Sequence, residues 1–247
     1  MGPLAPAPLF GANLTTSLIE DLAERGWAHA PAALDPGLVT ALRSEAGALD
    51  DAGDTQAARI GRGAVETRRD AVRRTRIAWL DGASPAQRRF LDGAEALRLE
   101  INQALFAGLF EFEAHFAVYP PGGFYARHLD AFAPRPGAQP SAALGPKAGR
   151  SRVISMVVFL NRSWREADGG RLAIWPPAAY GEDGRPDLTA LDTIAPAAEV
   201  APEPGGLVLM MSEAIPHEVR LSHAARYAIA GWFRVNTSIG GAVDPLG

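Results

Sequence analysis

The stretch Arg226-Tyr227-Ala228-Ile229-Ala230-Gly231-Trp232-Phe233-Arg234-Val235 decides the fold. Alternate residues of a strand point to opposite faces, so Arg226, Ala228, Ala230 and Trp232 share one face here. An arginine opening so apolar a strand is expensive to bury unless a carboxylate meets it. An internal salt bridge would satisfy it, and so would an anionic ligand. Six further segments have the same texture: residues 114–119, 124–129, 153–160, 171–175, 206–212 and 218–221. They are short, apolar and separated by Pro-Gly, Gly-Gly or Asp-Gly punctuation, the rhythm of an all-β sandwich or barrel. Seven such strands predict a jelly roll. Two inserts rich in Pro, Ala and Gly interrupt them, residues 132–152 and 177–204, and loops of this length are usually lids or disordered.

Ahead of residue 111 the periodicity changes. Leu14, Leu18, Ile19 and Leu22 recur at helical spacing, opened by Thr15 and Thr16 and stopped by Gly26. Residues 27–33 read as a short strand. Asp35-Pro36 supplies an N-cap and a first-turn proline for a helix over residues 37–49. Residues 76–80 read as another strand, and residues 85–109 as a longer helix or a helix pair. The expected class is therefore mainly β with helical support. No linker divides the chain, so we expect one domain over residues 1–247, with helical support to residue 110, a β core over 111–236 and a tail over 237–247.

Composition narrows the chemistry. The 247 residues contain no cysteine, which excludes disulfides, thiolate metal sites and cysteine nucleophiles. Of 24 basic residues only Lys147 is a lysine, so a Schiff-base lysine or a phosphate-gripping P-loop has almost nowhere to sit. A net charge of −4 argues against a nucleic-acid or anionic-membrane partner held by bulk positive charge. The longest apolar run, residues 153–160, falls far short of the roughly 18 residues of a membrane span, and the N-terminus lacks the pattern of a secretory signal. A cytoplasmic protein is the expectation. The one basic cluster is Arg59, Arg62, Arg68, Arg69, Arg73, Arg74 and Arg76. It reads as a solvated loop edge or as a patch steering an acidic or polypeptide substrate, and proximity to a pocket decides between the two.

The candidate chemistry lies in His128-Leu129-Asp130. At i and i+2 an imidazole and a carboxylate stand side by side, and His217 on a distant strand can complete a set of two histidines and one acid. Three ligands on one face leave about three positions open, as non-haem Fe(II) oxygenases require; zinc with the same ligands is the competing reading. Arg226, nine residues beyond His217, could clamp the distal carboxylate of 2-oxoglutarate through its guanidinium fork.

Together with these residues, Tyr119-Pro120-Pro121-Gly122, Tyr125-Ala126-Arg127-His128-Leu129-Asp130, Phe159-Leu160-Asn161, Trp164, Gly169-Gly170-Arg171-Leu172, Pro216-His217-Glu218-Val219 and Arg226-Tyr227-Ala228-Ile229 resemble the 2-oxoglutarate/Fe(II) oxygenases of the prolyl-hydroxylase type. The pattern is similar to the hypoxia-sensing prolyl hydroxylases and their bacterial relatives and covers roughly residues 111–235. The resemblance implies a double-stranded β-helix (jelly-roll) core, Fe(II) held by His128, Asp130 and His217, and 2-oxoglutarate anchored by Arg226 in a pocket lined by Tyr119 and Tyr125. It also implies hydroxylation of an aliphatic C–H with O2, releasing succinate and CO2. A prolyl residue of a protein or peptide is the expected substrate. The alternatives are a free amino acid or small metabolite, and a binding module that keeps metal without turnover. Oligomeric state is not legible.

Two positions depart from the family pattern. Phe159 replaces a frequent tyrosine that donates to the distal carboxylate, and Ala230 replaces a frequent threonine. Losing two neutral hydrogen bonds weakens co-substrate binding by about 1–3 kcal/mol unless Ser155, a tyrosine or water substitutes. His29, His115 and His223 are expected to be structural, Arg127 to form an ion pair, and Trp27, Trp79, Trp164 and Trp175 to pack. Trp232 is read equally as core or as a wall of the substrate entrance.

Overall fold

A computed structural model describes residues 8–57, 72–131, 150–179 and 187–236. The first helix, α1 (Ala12–Arg25), buries Thr15, Leu18, Ile19 and Leu22 and ends at Gly26, whose φ of 77° continues the chain in a left-handed turn. It starts before the two threonines rather than at them, and Thr15 is instead a buried helical residue. The strand β1 (Trp27–Ala30) follows. In α2 (Pro36–Asp51) the Asp35 carboxylate accepts from Leu38 N at 2.9 Å, the expected cap. Two strands, β2 (Gln56–Ala57) and β3 (Arg76–Trp79), precede α3 (Pro85–Leu105). That segment is one helix, capped by Ser84 and closed by Phe106 in a left-handed conformation at φ 51°, four residues short of the expected end.

The remaining strands are β4 (Glu111–Tyr119), β5 (Tyr125–His128), β6 (Arg150–Phe159), β7 (Leu172–Ile174), β8 (Ala198–Val200), β9 (Leu207–Met211), β10 (His217–Val219) and β11 (Arg226–Asn236). All seven strands expected after residue 111 are present. An eighth, β8, lies inside the second insert, where it pairs with β7 through Ala173 and Glu199. The same insert packs Leu191 against Trp175. Its Pro- and Ala-rich composition hid a three-residue edge strand that carries no alternation to read. Of the first insert, residues 132–149 lie outside the described residues and 150–152 begin β6.

Two antiparallel sheets result. The larger has the order β1-β9-β6-β11-β4-β3-β2 and the smaller β5-β10-β7-β8. Three strands from before residue 111 thus extend the larger sheet. Residue parity divides its two faces. Phe116, Ile154, Met156, Val158, Leu207, Leu209, Ile229 and Phe233 pack with the helices through Leu22, Leu42, Phe90 and Ile101. Ala117, Tyr119, Phe159, Val208 and Met210 point the other way and meet Leu172, Ile174, Val200 and Val219 of the smaller sheet or its flanks. The helices seal one face, so chemistry is confined to the space between the sheets. No described helix is long and apolar enough to cross a membrane.

Candidate active site

The strand β5 is an edge of the smaller sheet, and its neighbour β10 pairs with it directly at His217 and His128. Register alone therefore brings the two imidazoles together, with ring centroids 4.4 Å apart. Asp130, two residues beyond His128, completes the cluster. One ligand atom from each of the three residues lies within 4.8 Å of the others. His128 Nε2 is 3.4 Å from Asp130 Oδ1 and His217 Nε2 is 3.5 Å from Asp130 Oδ2.

Both rings are oriented from behind. His128 Nδ1 bonds to Ala126 O at 2.9 Å and His217 Nδ1 to Ile215 O at 3.1 Å. Each carbonyl accepts a proton on Nδ1 and leaves Nε2 as the lone-pair donor aimed at the cluster, the usual support of a metal-binding histidine. Burial and the neighbouring His128 push His217 down to about 4, so it is neutral at pH 7. Burial opposes the charge of Asp130, yet His217, together with the hydrogen bond and charge of His128, holds its carboxyl well below the usual range. A carboxylate oxygen and two imidazole nitrogens are the donor set a divalent transition metal takes up.

The carboxylate has its own support. Ser155 Oγ donates to Asp130 Oδ2 at 2.6 Å and stands 2.8 Å from Ser212 Oγ, with both serines buried. Since the Ser155 proton goes to the carboxylate, Ser212 donates to Ser155. Ser155 therefore serves the candidate metal ligand and is engaged there, rather than standing in for a lost donor at the far end of the pocket. Sequence reasoning missed the role because a serine on a strand face carries no mark of what faces it.

That far end holds Arg226. The side chain is 2% exposed, Nε donates to Gly170 O at 2.9 Å, and Nη2 is buried without a hydrogen-bond partner. Burial pushes its guanidinium down and only the Tyr119 hydroxyl works the other way. No carboxylate pairs with it among the described residues, which rules against the internal salt bridge. A buried unpaired charge carries a penalty of several kcal/mol, so the orphaned donor fits an anionic ligand group. Tyr119 and Phe159 flank the guanidinium, with ring centroids 4.9 and 5.3 Å from Cζ. Gly170, at φ 72°, lets the chain approach: a Cβ there would lie 2.8 Å from Ser222 Oγ and 3.0 Å from Arg226 Cδ.

The other residues singled out from sequence divide as follows. Tyr125 stacks on His128 with centroids 3.6 Å apart and planes at 17°, which places it beside the candidate ligands. Burial raises its hydroxyl to about 12. Arg127 pairs with Asp192 on the outer side, as expected. Trp232 is buried on the same sheet face as Ser155, its direct partner across β6. His115 is buried between Trp79 and Trp232, at 5.2 and 5.4 Å, and burial with the charge of Arg73 lowers it to about 3. Trp79, expected to pack, is 53% exposed, because the outermost strand β2 pairs only with Arg76 and Ile77 and stops short of it.

A family model described as the 2OG-Fe(II) oxygenase superfamily matches residues 114–234. Among solved structures, a Pseudomonas putida prolyl-4-hydroxylase is 33% identical, with a TM-score of 0.68, over 90% of this chain and 99% of its own. A Trichoplax adhaerens prolyl hydroxylase, in complex with a hypoxia inducible factor oxygen degradation domain peptide fragment, shares the fold at 20% identity and a TM-score of 0.66, covering 90% and 89% of the two chains. The non-heme alpha ketoglutarate dependent carbocyclase SnoK of nogalamycin biosynthesis shares it at 17% identity and 0.63, covering 93% and 87%. The chain belongs to the 2OG-Fe(II) oxygenase superfamily. It is a dioxygenase whose family uses Fe(II), 2-oxoglutarate and O2, built on the jelly-roll core of its relatives.

Proposed function

We propose that His128, Asp130 and His217 hold Fe(II), that Arg226 receives the distal carboxylate of 2-oxoglutarate, and that the reaction hydroxylates a prolyl residue of a protein or peptide. The observation that carries this reading is an inward-facing His-Asp-His cluster together with a buried arginine whose Nη2 has no partner, the aromatic neighbours of both, Tyr125, Tyr119 and Phe159, packing in the same cluster between the sheets. The overall change is 2-oxoglutarate + O2 + R–H giving succinate + CO2 + R–OH. Bound Fe(II) supplies the activation of O2, coupled to decarboxylation of the co-substrate, that makes an unactivated C–H reactive.

The chain's own residues prepare that chemistry. The carbonyls of Ala126 and Ile215 fix the tautomers of the two imidazoles, and Ser155 occupies one carboxylate oxygen so that the other is left for the metal. Arg226 orients the dicarboxylate by its far end, and Tyr119 beside it offers the hydroxyl that Phe159 lacks. Trp232 and Tyr125 wall the cavity on the side of the ligands and exclude water. The prolyl substrate is supported by the 33% identical prolyl-4-hydroxylase, and the polypeptide form by the peptide complex of the Trichoplax relative. A single domain and a cytoplasmic location belong to the same reading.

Succinate formation from 2-oxoglutarate, followed with prolyl peptides as substrates, tests it. Formation that needs Fe(II), O2 and peptide, and disappears in Asp130→Ala, is expected. Succinate production unaffected by that substitution would overturn it.

A further inference from the structure

The arginine-rich stretch has no part in the reading so far, and its described portion begins at Val72. Ala126 N donates to Val72 O at 2.8 Å, Arg74 N donates to Phe124 O at 2.9 Å, and Arg73 bridges Tyr125 in antiparallel fashion. The end of the stretch thus adds to the free edge of β5, the strand that carries His128. Arg73, one of the seven arginines, thereby lies beside the strand that carries His128.

Its guanidinium Cζ stands 4.5 Å from the centroid of Tyr125, which in turn stacks on His128. Nε of Arg73 is buried with no hydrogen-bond partner, and no carboxylate pairs with this arginine among the described residues. Its charge also reaches His115 across the cavity, where it is the strongest charge acting on that ring. Beside His115, Trp232 keeps a buried Nε1–H that likewise has no acceptor, and its ring lies 3.6 Å beneath Arg152. The acid of this region, Glu113, is engaged by Arg234 at 2.6 Å and by Arg152 at 3.4 Å. Two N–H groups near the candidate ligands therefore lack acceptors, one of them on a cation. What is missing is an oxygen acceptor with negative charge.

We propose that Arg73, steadied on Tyr125, binds a carboxylate of the substrate, so that the preferred substrate carries an acidic group close to the carbon that is hydroxylated. This rests on the oxygenase reading of the same cavity and adds what selects the substrate. An arginine held on an aromatic face keeps its edge donors free for a carboxylate, which a mobile surface arginine does at greater entropic cost. The carboxylate can come from an aspartyl or glutamyl side chain of a polypeptide or from the α-carboxylate of a free amino acid.

Capped heptapeptides randomised at their five central positions, offered to the Mn(II)- and 2-oxoglutarate-loaded protein and read by affinity selection, separate the possibilities, with L-proline and L-prolinamide as small-molecule arms. Enrichment of Asp or Glu at one position by about tenfold is expected for the wild-type protein, lost in Arg73→Gln, retained more weakly in Arg73→Lys and shifted toward basic residues in Arg73→Glu. Preference for L-proline over L-prolinamide that vanishes in Arg73→Gln, without peptide enrichment, supports the same anion site with the free amino acid as its source. No acid preference in either arm, or the same preference in wild type and Arg73→Gln, would overturn the proposal. Calorimetric 2-oxoglutarate binding is read on the same samples. Its absence in the wild-type protein counts against the role of Arg226, while the peptide selection still reports on Arg73.

Discussion

The two faces of β11 belong to the same ten or so residues and obey different rules. Ile229 and Phe233 are fully buried among Phe116, Ile154 and the helices, where each contact is apolar. Arg226 and Trp232, displaced from Ile229 and Phe233 by three residues and by one, are nearly as buried yet keep polar atoms without partners. The helix face is closed mainly by apolar packing; on the cavity face Arg226 Nη2 and Trp232 Nε1 are buried without partners, which a ligand can supply. A strand's period of two is what permits this, since a one-residue step moves a side chain from the core that stabilises the protein to the cavity that does its chemistry.

Substitutions break the comparison most sharply at the ligands. Replacing His128 or Asp130 by Ala should lower affinity for Mn(II) by more than about a hundredfold and abolish succinate formation, with thermal unfolding shifted little, as calorimetry and a melting curve would show. Arg226→Met should raise the half-saturating 2-oxoglutarate concentration roughly 30- to 1,000-fold, the size of losing a buried charged contact of about 2–4 kcal/mol, while Mn(II) binding stays. On the other face, Ile229→Ala should cost about 2–5 kcal/mol of stability, read by denaturant unfolding, and leave the half-saturating 2-oxoglutarate concentration within about twofold. If the two faces exchanged these effects, the division would be wrong.

Smaller changes sharpen it. Ser155→Ala should weaken Mn(II) binding about 10- to 100-fold and Ser155→Thr should restore most of it, because the hydroxyl acts through Asp130. Phe159→Tyr adds a donor beside Arg226 and should tighten 2-oxoglutarate binding roughly three- to tenfold, on the order of 0.5–1.5 kcal/mol, in a direct binding titration.

Strand parity made most of the larger sheet legible: Arg226, Ala228, Ala230 and Trp232 do share the cavity face, and Phe159 does lie with Ser155 and Val157. The His128–His217 meeting was legible only as two strands that could come together, because register between β5 and β10 is set by long-range pairing that no local pattern encodes. What stayed hidden was relational. The strand at Ala198–Val200 has no alternation to announce it, and the support of Asp130 by Ser155 depends on two strands facing across the cavity. The exposure of Trp79 follows from pairing at the sheet margin, where β2 stops short of it. Helix ends were set by single residues, such as the left-handed Phe106, whose side chain gives no warning of a stop.

The central claim is that one cavity joins a metal-holding His-Asp-His cluster to an arginine that grips the other end of a 2-oxo acid. Anaerobic addition of Fe(II) and 2-oxoglutarate, followed by visible absorption, tests it most directly, since iron chelated by a 2-oxo acid shows a charge-transfer band. The band should appear with the wild-type protein, be absent with His128→Ala, and require much more 2-oxoglutarate with Arg226→Met. A wild-type protein that gives no band at saturating Fe(II) and 2-oxoglutarate, or an Arg226→Met titration that matches it, would contradict the account.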